Sequence, residues 1–443
     1  MGTVSTSTMV RPVAPAGQVK GAQVKGAFWA LLAFVVVYCA RPEDWIPGLA
    51  LIPTAKIAGA LAVVAFLFSI SSARRKMPRE IIYFGLLIVQ MGLSAILSPV
   101  WRGGASQVVL NFSKLTLILP VMVMVTLTLA QLRRLIYIQV ASAAMIASVS
   151  IYQNRKGVDR LMGAANGTYS NSNDLAMTMC VALPFCFAFL LTGRGVLRKV
   201  AWALAMLVMT YTVFLTGSRS GLLALIFAGG ACLWEFGIKG GRRYLVVLGC
   251  AAAVVLALVG GSALRVRLAA SVESEESTQD AQIAHTSEIQ RKALLIKSLV
   301  VTAQHPLFGV GAGNFQVVSG MWHETHNSYT QVSSEGGVPA LILYLLILWR
   351  AFANVGEAKQ RAPAGKEELV WVSALRASLL GFVVGSAFAS VAYLLFPYFL
   401  VAYTSILHGV VFSDEVLSPK PVAEKQAPKL DRSLFAQGRA LGP

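Results

Sequence analysis

The chain has 443 residues, of which 56% are hydrophobic and 13% charged, about half the ~25% charged share of an ordinary soluble domain. A chain this long and this apolar cannot bury itself in one water-soluble core, and a bilayer is its natural solvent. The net charge of +18 falls in short Lys/Arg clusters between apolar runs, so it reads as an orientation signal rather than a nucleic-acid surface.

Residues 1–25 mix Ser, Thr, Pro, Gly and Lys without an apolar centre and are expected to form a disordered cytoplasmic tail, not a cleaved signal. Apolar runs of the size of a span follow near 26–40, 55–72, 81–99, 108–130, 135–151, 174–192, 199–216, 221–237, 244–262, 337–355, 369–390 and 392–412. The expected fold is therefore all-α: a polytopic membrane protein of about twelve transmembrane helices. Nine helices lie in 26–262, a large, partly helical loop in 263–336, three helices in 337–412 and a second disordered tail in 413–443. The last two runs are close enough to form a broken or re-entrant pair. Within the loop, Val272 to Asp280 is acidic and solvated. The stretch from Ala281 to Ala303 predicts a helix, with Ile283, Ile289, Leu294, Leu295, Leu299 and Val300 as its apolar side. The five cysteines all lie inside apolar runs and read as packing residues.

Placing both termini in the cytoplasm puts 24 of the 38 basic residues on inner segments and 12 on outer ones, with Lys114 and Arg376 inside spans. The positive-inside rule favours that orientation. The large loop then faces outward, and long loops in an otherwise compact helical protein are spent on function.

Three polar clusters sit on that outer side. Thr216-Gly217-Ser218-Arg219-Ser220-Gly221 puts an arginine at the edge of the hydrocarbon region, where it is costly unless paired or serving a ligand. Arg291 lies on the predicted loop helix, followed by the glycine-rich run His305-Pro306-Leu307-Phe308-Gly309-Val310-Gly311-Ala312-Gly313-Asn314-Phe315. This run follows no strand, so a tight structural turn is expected rather than a phosphate cradle. The third cluster is Trp322-His323-Glu324-Thr325-His326-Asn327, with Glu335-Gly336-Gly337 beyond it. One residue separates Glu324 from His326 where a metalloprotease helix has two, and no third ligand is evident, so no metal is expected. An imidazole here suits a general base.

In this order the clusters resemble the O-antigen ligase family, which includes O-antigen polymerases and protein O-oligosaccharyltransferases. His326-Asn327, nine residues, Gly337, two residues and Ala340 follow that family's pattern except at Ala340, where the family has Gly, Thr or Tyr. The segment Asn171-Ser172-Asn173-Asp174 is similar to its Asn-x-Asn stretch. The resemblance covers roughly residues 165–345. It implies about twelve helices with a large periplasmic loop, in the bacterial inner membrane. It also implies an inverting, metal-independent transfer of a glycan from undecaprenyl diphosphate to an acceptor hydroxyl, without a cofactor. The partners it implies are the lipid-linked donor, a lipid A core, glycan or protein hydroxyl as acceptor, and membrane lipids, with no nucleic acid. Within it, Arg219 and Arg291 are expected to hold the diphosphate and His326 to take the acceptor's proton. Asn327, Arg155 and Lys156 are expected against substrate, and Glu335 beside the histidine or the substrate. A transporter of an anion or small solute is the alternative, suggested by intramembrane Lys114 and Arg376. No repeated halves of the kind carriers show are visible in the sequence.

Overall fold

The computed structural model describes residues 16–44, 46, 48–69, 77–153, 161–163, 171–259, 279–362 and 367–417. Among them the chain forms helices and turns and no strand, because a backbone in hydrocarbon must satisfy its own hydrogen bonds. The helices are α1 (Ala16–Ala40), α2 (Thr54–Ser69), α3 (Arg79–Ile96), α4 (Arg102–Val125), α5 (Leu129–Gln153), α6 (Ser172–Thr192) and α7 (Val196–Leu215). After these come α8 (Arg219–Cys232, continued as a π-helix over Leu233–Ile238), α9 (Arg243–Val259), α10 (Gln279–Gln304), α11 (Ser328–Arg361), α12 (Glu367–Ser386) and α13 (Leu395–Leu417). Nine of them are long and apolar enough to cross a bilayer, and α2 and α13 contain shorter apolar helices. α9 is a further apolar helix of 17 residues, so against the expected twelve spans the described residues give nine helices of spanning length and three shorter apolar ones. The protein is an all-α, multi-pass membrane protein.

Several expected boundaries move. α1 begins at Ala16, inside the stretch read as a tail, because Ala, Gln and Lys are good helix formers that extend the apolar run. Residues 1–15, 272–278 and 418–443, which carry most of the expected tails and of the acidic run, lie outside the described residues. α11 begins at Ser328, inside the expected loop, and breaks at Gly337. α12 is a full-length span and α13 follows it after residues 387–394, so the two are successive helices rather than one re-entrant pair.

The core sits where α6, α8 and α12 meet. α6 is buried along most of its length, while α7 turns Val196, Leu197, Leu204 and Leu207 outward. Close approach of α8 and α12 comes from small residues at helical spacing: a Cβ on Gly381 would lie 2.7 Å from that of Ala228, and one on Gly385 2.9 Å from that of Ala224. Small-residue stripes of this kind let membrane helices gain packing contact without a hydrophobic driving force.

The end of the bundle with the basic loops, here the inner end, is tied by ion pairs. Glu80 of α3 accepts from Asn354 Nδ2 at 2.6 Å and from Ser405 Oγ, with Arg350 Nε at 3.9 Å. Glu357 takes Arg350 at 3.4 Å and His408 Nε2 at 2.8 Å. Glu235, in the π-helical turn, takes Lys359 at 2.7 Å and Arg376 at 3.2 Å. The intramembrane arginine that suggested an anion path is thus engaged by a carboxylate. The opposite, outer end is built differently.

Candidate active site

α11 is broken by its own sequence. Gly337 takes φ 81°, ψ 175°, and Pro339, two residues on, has no N–H to give. Carbonyls before the break therefore lose their helical partners at membrane depth, where each must be satisfied. The glycine-rich run supplies them: Val310 N–H donates to Ser334 O at 2.9 Å and Gly311 N–H to Glu335 O at 3.0 Å, while Val338 N–H donates to Pro306 O at 2.7 Å. One face of α3 does the rest. Gln90 Nε2 reaches Leu307 O (2.7 Å) and Gly336 O (2.9 Å), Ser94 Oγ reaches Glu335 O (2.5 Å), and Ser98 Oγ reaches Val310 O (2.6 Å). The run is a structural turn, as expected. Its glycines serve backbone contact: a Cβ on Gly309 would lie 2.4 Å from the Glu335 carbonyl carbon, and one on Gly337 2.5 Å from Leu307 O.

Arg219 opens α8. Ser218 caps that helix, its Oγ accepting from Gly221 N–H at 3.1 Å. The same Oγ donates to Asn173 Oδ1 at 2.7 Å, so its one proton is used and the 2.9 Å contact with Ser220 Oγ is a donation from Ser220. Asn173 in turn belongs to the first turn of α6, capped by Asn171. A Cβ on Gly221 would meet that of Ala176 at 2.5 Å, which fixes the two helix starts together. A cation at a helix N-terminus opposes the helix dipole, so both the arginine and the helix end favour an anion there.

Arg291 is brought to the same place by α10. Leu294, Ser298 and Val301 are its buried stripe, packed with Val310 and Phe315 of the turn, and Thr302 Oγ1 lies 2.9 Å from Ser333 Oγ of α11. Arg291, three residues before Leu294, shares that inward face and is half-buried. The expected apolar side is corrected here: Ile289, Leu295, Leu299 and Val300 are exposed, and only Leu294 of the described members is buried. Burial and then the neighbouring Arg219 charge lower the Arg291 guanidinium from its ordinary range. The two arginines are thus within electrostatic reach, although 72 positions separate them in sequence.

His326 lies just before α11 with φ 51°, a left-handed conformation that costs a non-glycine residue about 1–3 kcal/mol and persists only when its surroundings impose it. Thr325 does so from one side, donating to Asn327 O at 2.8 Å and touching Ser390 Oγ at 3.2 Å. Ser328 does so from the other, donating to Ala389 O at 2.7 Å and accepting from Val391 N–H at 2.9 Å. Glu324, two residues before His326, is open to water yet crowded by protein. That crowding raises its carboxyl above the usual range, against a hydrogen bond from Ser390. It lies within electrostatic reach of Asp174, the residue after Asn173. Arg219, Arg291, His326, Asp174 and Glu324 therefore all belong to the outer end.

Residues 204–345 match the family model described as O-antigen ligase. Over that stretch the chain is similar to the O-antigen ligase domain. No curated protein matches the chain. The ligase domain contains Arg219, Arg291, the glycine turn, His326 and the break at Gly337, whereas Asn173 and Asp174 of α6 and the turn at 387–394 lie outside the matched stretch.

Two expected site residues have other duties in the ligase domain. Asn327 is the cap of α11, its Oδ1 accepting from Tyr329 N–H (2.9 Å) and Thr330 N–H (3.1 Å); only its Nδ2 is left to meet a substrate. Glu335 is 3% exposed. Its carboxylate accepts from Tyr393 Oη at 2.7 Å and from the N–H groups of Gly313 and Phe315, so it holds the glycine turn. Burial, and then Glu335 itself, raise the Tyr393 hydroxyl far above its ordinary range and keep it a donor. Arg155 and Lys156 lie outside the described residues. Ala340, where the family pattern departs, is fully buried, and a Cβ on Gly336 would stand 2.7 Å from its own. Sequence reasoning missed Gln90, Ser94 and Ser98, although polar residues every fourth position along an apolar helix mark a face that receives something. It also missed Tyr393, which nothing in the local pattern distinguishes.

Proposed function

We propose that the chain transfers a glycan from undecaprenyl diphosphate to an acceptor hydroxyl at the periplasmic face of the bacterial inner membrane, as a ligase or polymerase of a surface polysaccharide. The observation that carries the reading is the pairing of Arg219 with Arg291 at the outer end, two like charges brought together by a helix start and a loop helix. Two guanidinium forks within reach of one another suit the two charged groups of a diphosphate.

In this reading the diphosphate lies against the two guanidinium forks. The bond from the sugar C1 to the phosphate oxygen breaks as the acceptor oxygen bonds to C1 from the opposite side, which inverts that centre. The departing diphosphate takes the electron pair, and the arginines hold the charge that develops there, the part a divalent metal plays elsewhere. The acceptor's proton passes to His326. Asp174 and Glu324 offer acceptors to sugar hydroxyls. Asn327 Nδ2, Arg155 and Lys156 remain candidates for contact with the glycan.

The test is transfer by the purified protein in liposomes, with a defined undecaprenyl-diphosphate glycan and separate lipid A core, glycan and peptide acceptors. The reading expects product with one acceptor class, released undecaprenyl diphosphate and an inverted linkage. Donor consumed by none of the three would overturn it, and uptake of a labelled anion into the same liposomes would favour a transporter instead.

A further inference from the structure

A cavity lies at the inner end, on the far side of the membrane from the ligase site. It occupies about 1080 Å³ between α5, the turn from α6 to α7, and the start of α12. Arg133, Arg194, Arg198 and Glu367 line its mouth. Glu367 is engaged by Arg133 at 2.8 Å and by Trp371 Nε1 at 3.3 Å. Arg194 and Arg198, four residues apart and exposed, have no carboxylate partner among the described residues. The mouth therefore carries a surplus of two positive charges.

Deeper, the cavity changes character. Phe189 and Trp202 stack at 4.8 Å, with the Tyr137 ring edge-on to both. Beyond them Ala141 and Ala144 of α5 and Ala201 and Ala205 of α7 also line it, and their short side chains leave an apolar slot between the two helices. The flank of α7 beside the mouth shows Val196, Leu197 and Val200 outward, so the slot is continuous with the surface that meets lipid.

We propose that this cavity holds an anionic phospholipid of the leaflet at the basic end, with its phosphodiester on Arg194 and Arg198 and an acyl chain in the alanine slot. A soluble anion would use the arginines but leave the slot empty. A neutral lipid would fill the slot but leave the arginines unanswered. Basic pockets between membrane helices are suited to acidic headgroups, and each arginine near a lipid surface adds to the attraction. α7 has 20 residues, so roughly 30 Å separates the arginines at the mouth of this pocket from the ligase site. Its occupancy does not depend on what the outer end transfers.

The test is thermal unfolding of the delipidated full-length protein in detergent, titrated with phosphatidylglycerol, with phosphatidylcholine of the same chains, and with inorganic phosphate. Phosphatidylglycerol should stabilise with an apparent affinity about tenfold or more above phosphatidylcholine, and phosphate alone should not stabilise. R194Q/R198Q should remove that preference. Ala201→Leu, which keeps both arginines, should weaken phosphatidylglycerol by filling the slot, and it serves as the second variant if the double substitution fails to fold. Equal stabilisation by the two lipids, an unchanged preference in R194Q/R198Q, or a matching effect of phosphate alone would overturn the proposal; the last result would indicate a soluble anion.

Discussion

The ion-paired carboxylates of the inner end and the candidate site of the outer end handle charge differently. At the inner end carboxylates are matched to cations, as Glu80, Glu357 and Glu235 are with Arg350, His408, Lys359 and Arg376. At the candidate site of the outer end like charges lie within reach of one another, Arg219 of Arg291 and Asp174 of Glu324, while elsewhere at that end Arg41 meets Asp44 at 2.5 Å. The backbone differs too. The ion-paired inner residues lie on regular helix apart from the π-turn at Glu235, while the outer site combines a broken span, three left-handed glycines in one turn and a left-handed histidine. Matched charges hold helices together, whereas segregated charges on an imposed backbone hold open a place for something polar.

Substitutions should therefore separate into those that stop chemistry and those that loosen the fold. His326→Ala should lower transfer by about 10²–10⁴-fold, the usual contribution of a general base, while its unfolding temperature stays near wild type; rate and melting measured on one preparation check both. Glu80→Ala should do the reverse. Removing one partner of a buried ion pair costs about 3 kcal/mol or more, so melting should fall while the turnover of the protein that remains folded is unchanged. Gly309→Ala belongs to neither end cleanly. Its Cβ meets the α11 backbone, so it should destabilise by about 2 kcal/mol and also disturb His326 through α11, lowering rate and melting together.

The smallest effect concerns pH. The Glu324 carboxyl is raised in the folded protein by its crowded surroundings, so ionising it there costs stability. That cost is absent in acid, where folded and unfolded forms are both protonated, and it grows as pH rises through the raised range. Glu324→Gln should melt like wild type in acid and slightly higher near neutral pH. Parallel melting curves at both extremes would remove the assignment.

Much of this was legible in the chain. Twelve apolar runs and the basic punctuation between them give the helices and their alternation, because bilayer thickness sets a length no other context imposes. Arg219 stood out as an arginine at the edge of an apolar run, whereas Arg291, in the middle of the expected loop helix, and His326 gained their roles from the family resemblance. What did not show was which polar groups serve the backbone. Glu335 and Asn327 looked like site residues because they are acidic or amidic and close to His326. Their partners, Tyr393 and the N–H groups of the glycine turn for one and the first turn of α11 for the other, come into reach only once α11 has broken and the turn has folded into the gap. The apolar side of α10 was misjudged for a related reason. The C-terminal half of the helix, Ala293 to Ala303, is apolar on most sides, so periodicity alone could not say that Leu294, Ser298 and Val301 face α11 and the turn.

The central claim is that Arg219 and Arg291 serve one diphosphate. A double-substitution cycle on binding of undecaprenyl diphosphate, using wild type, R219Q, R291Q and R219Q/R291Q, tests it most directly. Two forks on one anion predict a large loss from either single change and a coupling between the pair well beyond the ~0.5 kcal/mol scatter of independent sites. Losses that simply add, or a lipid diphosphate bound as tightly by the double variant as by wild type, would contradict it.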